Sequence, residues 1–383
     1  MPGHWFIRLS SSLFLPMLSK KLKILYVITS LRLGGAERLV TDLSKGFKER
    51  GHEAEIFVMD STPTPLTKEL EKADVKIYKG WKGYFNMRNP LCFFKLRSLI
   101  KHGDYDIIHS HNSSAQFLTV VASANHPGLV TTEHNTKNAR RFIPLFKNLD
   151  FLLYSRYHRI IAVSETVRGT LLAYLPGKRI CDKIFVIFNG IDLKEYFAFN
   201  RPCYENKDKK IITMVASFRK QKDQGTLIKA IFRLPQEYEL WLVGDGVTRK
   251  ESENLARELN ISSRVKFLGF RKDVKDLLCR SDIFVLSSHY EGCAISLIEA
   301  MAMGLPVIGS NVEGITEFVD AGFLFKEGDS IELAEKIKEL TQNENLNHEI
   351  SNRSKEKSYN FDILNTIARH EELYLELIKK SVQ

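Results

Sequence analysis

SDIFVLSSHYEGCAISLIEAMAMGLPVIGSN, residues 281–311, is the stretch that decides the fold. Its opening, SDIFVLSS, is a continuous apolar run with β-branched residues, the pattern of a strand buried on both faces. From about Ala294 to Met303 the pattern is helical, and Gly304 with Pro306 ends the helix. LPVIGSN (305–311) is strand again. A strand–helix–strand unit of this kind builds a parallel sheet covered by helices. The start of the helix offers unpaired N–H groups and the positive end of a dipole, which suits a diphosphate. Glu291 stands just before the helix and Glu299 lies within it. Their spacing of eight residues, at about 1.5 Å per residue, separates them by up to roughly 12 Å. That is too far for the carboxylate pair of a glycoside hydrolase, about 5–9.5 Å apart. It suits the two ends of one elongated ligand. Taken alone, the spacing also fits a capping acid followed by an incidental glutamate.

The same alternation runs outward in both directions. LKILYVIT (22–29), AEIFVMD (54–60), VKIYK (75–79), YDIIHSH (105–111), GLVTTEH (128–134), RIIAVS (159–164) and IFVIFNGID (184–192) read as strands with helices between them. IITMVAS (211–217), YELWLVGDG (238–246) and RVKFLGF (264–270) begin a second series that 281–311 continues. A length of 383 residues fits two domains. We divide the chain into an N-terminal extension at 1–21, a first Rossmann-like domain at 22–195 and a linker at 196–210. A second such domain follows at 211–365, and a closing helix at 366–383 is able to pack back on the first domain. Two parallel sheets facing each other leave a cleft at the carboxyl ends of their strands, where ligands bind in such folds.

The residues from Glu291 to Glu317, EGCAISLIEAMAMGLPVIGSNVEGITE, resemble the donor-binding signature of the retaining glycosyltransferases of family 4, which have the α/β fold called GT-B. The similarity runs from about residue 22 to residue 365. It implies that Glu291 lies near the donor sugar, that amides around Ala294, Ile295 and Ser296 meet the diphosphate, and that Glu299 bonds the ribose hydroxyls. Cys293 and Ala294 depart from the family pattern where the sugar is told apart. In VASFRKQKDQGTLIKA (215–230), Lys222 matches the family's phosphate lysine. Ser217 stands where the family has an arginine, and Arg219 is the candidate to replace its charge. A solvated basic turn would read the same.

Four further strand ends carry candidates. Gly34 and Gly35, in LRLGGAER (31–38), let a backbone approach a ligand, and in the family this loop closes over the donor. They lack the complete glycine fingerprint of a dinucleotide fold. Gly244, in Gly244-Asp245-Gly246, opens a loop that in the family approaches the nucleotide, although a plain tight turn reads the same. Gly269 and Phe270 follow another strand where the family reads the base, and Phe270 also suits the core. His109 and His111 share one face of a strand end. The resemblance places His111 beside the donor sugar and leaves His109 structural. No third ligand is positioned for zinc, and no D-x-D motif stands in a metal-site context, so no obligatory metal or other cofactor is expected. His134, after Glu133, and Arg140 are candidates for the acceptor side.

Composition bounds the rest. The chain is 44% hydrophobic and 27% charged, ordinary for a globular protein. Five scattered cysteines without a C-x-x-C fit free thiols in a reducing cytosol. No apolar run is long enough to span a membrane. Residues 1–16, mildly apolar with Arg8 and Pro16, read as an upstream extension rather than a signal peptide. The net charge is +10, and ten Lys/Arg against three acids fall between Lys137 and Lys183. Such a stretch suits an anionic membrane surface or simply a solvated face, and no nucleic-acid module accompanies it. The expected function is a retaining, metal-independent transfer of a hexose or N-acetylhexosamine from a nucleotide-diphosphate sugar. UDP is favoured over GDP, and the acceptor is a glycan or lipid-linked glycan precursor. The expected location is the cytoplasm, peripheral on the inner face of the plasma membrane. A nucleotide-sugar epimerase and a non-catalytic sugar-nucleotide-binding subunit are the alternatives.

Overall fold

The computed structural model describes residues 20–32, 34–81, 90–136, 144–198 and 208–382. Among them, seven strands form the first sheet: β1 (Lys23–Ser30), β2 (Glu53–Asp60), β3 (Lys76–Trp81), β4 (Ile107–His111), β5 (Leu129–Glu133), β6 (Arg159–Ala162) and β7 (Ile184–Val186). Their order is β3-β2-β1-β4-β5-β6-β7, and every pairing is parallel. Six strands form the second: β8 (Lys210–Val215), β9 (Tyr238–Val243), β10 (Val265–Gly269), β11 (Ile283–Leu286), β12 (Val307–Ser310) and β13 (Leu324–Phe325). Their order is β10-β9-β8-β11-β12-β13, again all parallel. The strands read from the sequence are all present, and only the two-residue β13 is additional.

The central strands are buried because helices cover both faces. All five residues of β4 and of β5 are buried. Leu39, Val40, Leu43 and Phe47 of the helix Gly35–Glu49 pack on one face of the first sheet. Leu96, Ala115, Ala122 and Leu153 from three later helices pack on the other. The second domain has one large core, which takes Leu297, Ile298 and Met301 from the helix Ile295–Ala302.

The last helix, Ile363–Val382, lies on the first domain. Ile367, Tyr374 and Leu377 join the core of the helix Gly35–Glu49, and the rings of Tyr374 and Phe47 stack at 5.4 Å. Glu371 binds Arg50 at 2.5 Å and His52 at 2.9 Å. The segment read as a linker opens instead on a short helix, Leu193–Phe197, whose Tyr196 is buried in the second domain's core. Residues 199–207 lie outside the described residues, as do residues 1–19 of the proposed extension.

In each sheet the strand order turns at one point, β1/β4 in the first and β8/β11 in the second. The crevice beyond the carboxyl ends of the strands at such a point is where a ligand binds. The candidate residues follow β1, β4, β5, β8, β9, β10 and β11, so their loops all gather at that one end of the sheets.

Candidate active site

The helix Ile295–Ala302 begins without a capping side chain and without an acid in its first turn. Its N-terminus therefore keeps amide donors and positive potential for a ligand. Gly35 faces it from the first domain, in ordinary contact distance of Ile295 if it carried a Cβ. Gly34 is extended at φ −171°, so its backbone does not demand glycine, but a Cβ there would lie 2.4 Å from Glu37 Oε2 and would have to displace that carboxylate.

Gly292 meets a stricter demand. A Cβ at this position would lie 2.1 Å from the carbonyl oxygen of His134, so only glycine lets the two domains approach here. The next residue, Cys293, packs against the cores of both domains. Burial pushes its thiol up to about 12.

Glu291 is 4% exposed. Its Oε1 accepts hydrogen bonds from Lys222 Nζ at 2.5 Å and from Ser288 Oγ at 2.5 Å. Lys222 is held there because the loops after β8 and β11 are stitched together. Gln221 Nε2 donates to the Tyr290 carbonyl at 2.7 Å, and Ser287 Oγ donates to the Asp223 carbonyl at 2.8 Å. Asp223 then caps the helix Gln224–Arg233. The expected phosphate lysine and the expected sugar-side glutamate thus hold each other.

At the other end of the helix segment, Glu299 Oε1 accepts from the Tyr196 hydroxyl at 2.7 Å. Burial raises the Glu299 carboxyl above its usual range, against the lowering by Tyr196, Lys275 and Arg38. Glu299 lines an interdomain cavity of about 250 Å³ together with Gly35, Ile295, Arg38, Tyr196, Lys272 and Lys275. Asp42, Asp192 and Glu195 line the same cavity. Arg38 pairs with Asp42 and Lys275 with Glu195, so its charges are largely matched, and the anion-binding element here is the helix N-terminus on which the cavity ends.

His111 is fully buried at the end of β4. Its Nδ1 pairs with His134 Nε2 at 3.1 Å, and its Nε2 has no hydrogen-bond partner. Burial, with His109 and His134 nearby, holds His111 well below the usual imidazole range. Burial brings His134 down to about 3. Both rings are therefore neutral near pH 7, and one donates to the other. His109 has both nitrogens committed, to Tyr374 at 2.6 Å and to Thr132 at 2.7 Å. That leaves it no ring nitrogen for a ligand. Asn112, next to His111, takes φ 71° and ψ 148°, a strained conformation for a residue with a side chain. Its Nδ2 reaches Glu37 Oε1 at 3.3 Å and so ties β4 to the glycine loop after β1.

Gly244 N donates to the Gly269 carbonyl at 2.8 Å. Gly244 has φ 132°, and a Cβ there would lie 2.1 Å from the Ala216 carbonyl oxygen, so its loop packs on the strand end that precedes Ser217. Phe270 is 61% exposed and is not part of the core. Arg219 is exposed and lines a different cavity, with Lys220, Glu251 and His289, rather than the one beside Glu299. Arg140 lies outside the described residues.

Comparison with known proteins gives the family and the fold. A family model described as Glycosyltransferase Family 4 matches residues 33–195, and one described as Glycosyl transferases group 1 matches residues 199–357. The lipopolysaccharide core biosynthesis glycosyltransferase LpsE of Rhizobium meliloti is 33% identical over 84% of this chain and 90% of its own length. The chain belongs to glycosyltransferase family 4. Another relative is the UDP-Gal:alpha-D-GlcNAc-diphosphoundecaprenol alpha-1,3-galactosyltransferase of Escherichia coli. It is 28% identical over 76% of this chain and 80% of its own. The crystal structure of Anabaena HepE in complex with UDP-glucose superposes with a TM-score of 0.79. It is 24% identical and covers 93% of this chain and 99% of its own, which establishes the shared GT-B fold.

In this family-4 glycosyltransferase, the sequence candidates Glu291, Glu299, Lys222 and His111 lie at the cleft, and Arg38, Tyr196, Lys272 and Lys275, which line the cavity beside Glu299, were not singled out from the sequence. Arg38 stands in the quoted LRLGGAER, one turn into a helix. The lysines are brought in by tertiary packing. Lys275 pairs with Glu195 and lies 4.9 Å over the Tyr196 ring.

Proposed function

We propose that this chain transfers a hexose or N-acetylhexosamine from a nucleotide-diphosphate sugar to a hydroxyl of a glycan, with UDP-sugars favoured over GDP-sugars. The observation that carries the reading is the uncapped N-terminus of the helix Ile295–Ala302, flanked by the Lys222–Glu291 pair at one end and the Tyr196–Glu299 pair at the other. The diphosphate would sit on the helix amides, with Lys222 as counter-charge for the leaving group. Glu299 would take the ribose hydroxyls. His111 would offer its free Nε2 to the sugar, and the loops bearing Gly34, Gly35, Gly244, Gly269 and Phe270 would enclose the nucleotide. The Glu291 carboxylate is held by Lys222 and Ser288, and Glu317 by Thr166, which does not favour either as the nucleophile of a covalent glycosyl intermediate. Departure of the diphosphate and attack by the acceptor on the same face is therefore the mechanism we favour, with retention of configuration. The chain's own groups supply the charge this needs, so no metal is invoked.

The acceptor we favour is a lipid-linked glycan precursor in cell-surface polysaccharide synthesis, met at the inner membrane face. The E. coli relative, a galactosyltransferase for GlcNAc-diphosphoundecaprenol, supports the lipid-linked acceptor, and the Rhizobium relative, a glycosyltransferase of lipopolysaccharide core biosynthesis, supports the cell-surface setting. No helix among the described residues is long and apolar enough to cross a membrane, so contact with such an acceptor would be peripheral. The test is incubation with UDP-sugars and an undecaprenyl-diphosphate glycan, following UDP release and the anomeric configuration of the product. Acceptor-dependent UDP release with an α-linked product supports the reading. Isomerised donor without acceptor would point to an epimerase, and absence of any turnover to a binding subunit.

A further inference from the structure

We propose that the outer face of the helices Pro90–His102, Ser113–Ala122 and Pro144–Arg156 docks on an anionic lipid bilayer and holds the first domain's end of the cleft at the membrane. All three helices cover the same face of the first sheet. The middle one packs against both others, so they form one continuous layer. Away from the sheet this layer exposes Leu91, Phe94, Phe117, Val121, Leu149 and Leu152, each between 45% and 63% accessible. These are six of the thirteen large apolar side chains exposed among the described residues, so they are concentrated here rather than scattered. Their spacing is i,i+3 in the outer helices and i,i+4 in the middle one, which puts each pair on one side of its helix.

The charge on this layer has one sign. Lys95, Arg97, Lys101, Lys147 and Arg156 are exposed. The one acid in the three helices, Asp150, is 2% exposed and accepts from the Tyr174 hydroxyl at 3.0 Å. An apolar face set among cations fits the headgroup layer of an anionic membrane: the side chains enter the interface and the cations meet phosphate. A second copy of this chain fits poorly, because symmetric pairing would set the same five cations against each other. Among the described residues, the basic stretch 137–183 singled out in the sequence contributes Lys147 and Arg156 to this layer. Of the rest, Lys183 is bound to the carbonyls of Ser155 and Tyr157.

The placement is also productive. A crossover helix in a parallel sheet starts at the carboxyl end of a strand, and Ser113 follows directly on His111 and Asn112. Four of the six apolar side chains, Leu91, Phe94, Phe117 and Leu149, lie within the first six residues of their helices, toward the cleft rim. A lipid-borne headgroup would thus arrive beside His111 and His134.

The purpose of this surface rests on the lipid-linked acceptor reading, but its test does not. The full chain is sedimented with phosphatidylcholine vesicles and with the same vesicles containing phosphatidylglycerol, without donor or acceptor. Binding is expected only to the anionic vesicles. The variant F94S/F117S/L152S should bind them at least about tenfold more weakly, while remaining monomeric and keeping the wild-type melting temperature and UDP response. Three results would overturn the proposal: no wild-type binding to anionic vesicles at low salt, unchanged binding by the folded variant, or a wild-type dimer that the variant dissociates. Vesicle binding without transfer to a lipid-linked acceptor would sink the acceptor reading alone. Transfer to that acceptor without vesicle binding would sink the surface alone.

Discussion

Replacing Lys222 by alanine leaves the Glu291 carboxylate, whose side chain is 5% exposed, with only the Ser288 hydroxyl. Removing one partner of a fully buried pair costs about 3–5 kcal/mol. The Lys222 side chain is itself 19% exposed and the Ser288 bond survives, so we expect about 2 kcal/mol. In a domain of this size that lowers the melting temperature by roughly 4–8 °C. Glu291→Gln keeps the shape and leaves the partly exposed ammonium free for water, at a cost of about 1 kcal/mol. The double variant should be more stable than the sum of the two losses implies, with a coupling of at least about 1 kcal/mol. Ligand binding separates the two roles. Lys222→Ala should weaken UDP at least about tenfold, the loss of one charge-assisted hydrogen bond. Glu291→Gln should bind UDP as well as wild type or better, because the ammonium is no longer held by the carboxylate, and yet should lose transfer. Calorimetric titration with UDP and a scan of thermal unfolding measure all of this. Unchanged UDP affinity in Lys222→Ala, or equal loss in both variants, would refute the reasoning.

Other expectations follow from neighbouring contacts. Tyr196→Phe removes a hydrogen bond to a carboxylate whose pKa burial already raises, so UDP affinity should fall several-fold and its acid limb should move to higher pH, read by titrations across pH; a limb that stays put contradicts the positioning of Glu299. Glu299→Ala should abolish transfer while leaving a cooperative melt, and wild-type turnover in that variant defeats its assignment. Gly292→Ala forces its Cβ onto the His134 carbonyl oxygen, so activity should drop more than about tenfold and the melting temperature with it; a silent variant would show that the domains do not meet as described. His134 and His370 titrate near 3 and 4 when folded and near 6.5 when unfolded, so the unfolded chain binds more protons and stability is lost as pH falls from 6.5 towards those values. The slope for each is about 1.4 kcal/mol per pH unit, and urea midpoints that stay flat from about pH 6.5 to 4.5 would contradict it.

Much of the fold was legible because its signals are local. A buried parallel strand shows itself as a short apolar run, and twelve of the thirteen strands did so. The thirteenth, Leu324–Phe325, is too short to carry any period. The helix at Ile295 was legible from its flanking Gly304 and Pro306, and with it the two glutamates. Their partners were harder. Tyr196 sits in KEYFAFN, whose polarity reads as linker, and only packing shows its hydroxyl on Glu299, 103 residues away. His370 and Tyr374 come back to His109 from the last helix, a contact no local pattern encodes. Arg219 shows the limit of alignment by charge. Two residues along an irregular turn were enough to carry it into another cavity.

The central claim is that the cleft binds a nucleotide-diphosphate sugar through the helix at Ile295. Thermal shift against a panel of UDP-, GDP- and ADP-sugars tests it most directly, because a ligand that binds only the folded chain stabilises it by mass action. At a hundredfold excess over Kd the gain is about 2.7 kcal/mol, so the matching UDP-sugar should raise the wild-type melting temperature by roughly 5–10 °C. The same ligand should leave Lys222→Ala and Glu299→Ala nearly unmoved. A wild type that responds to none of the panel, or variants that respond as strongly as it does, would contradict the account.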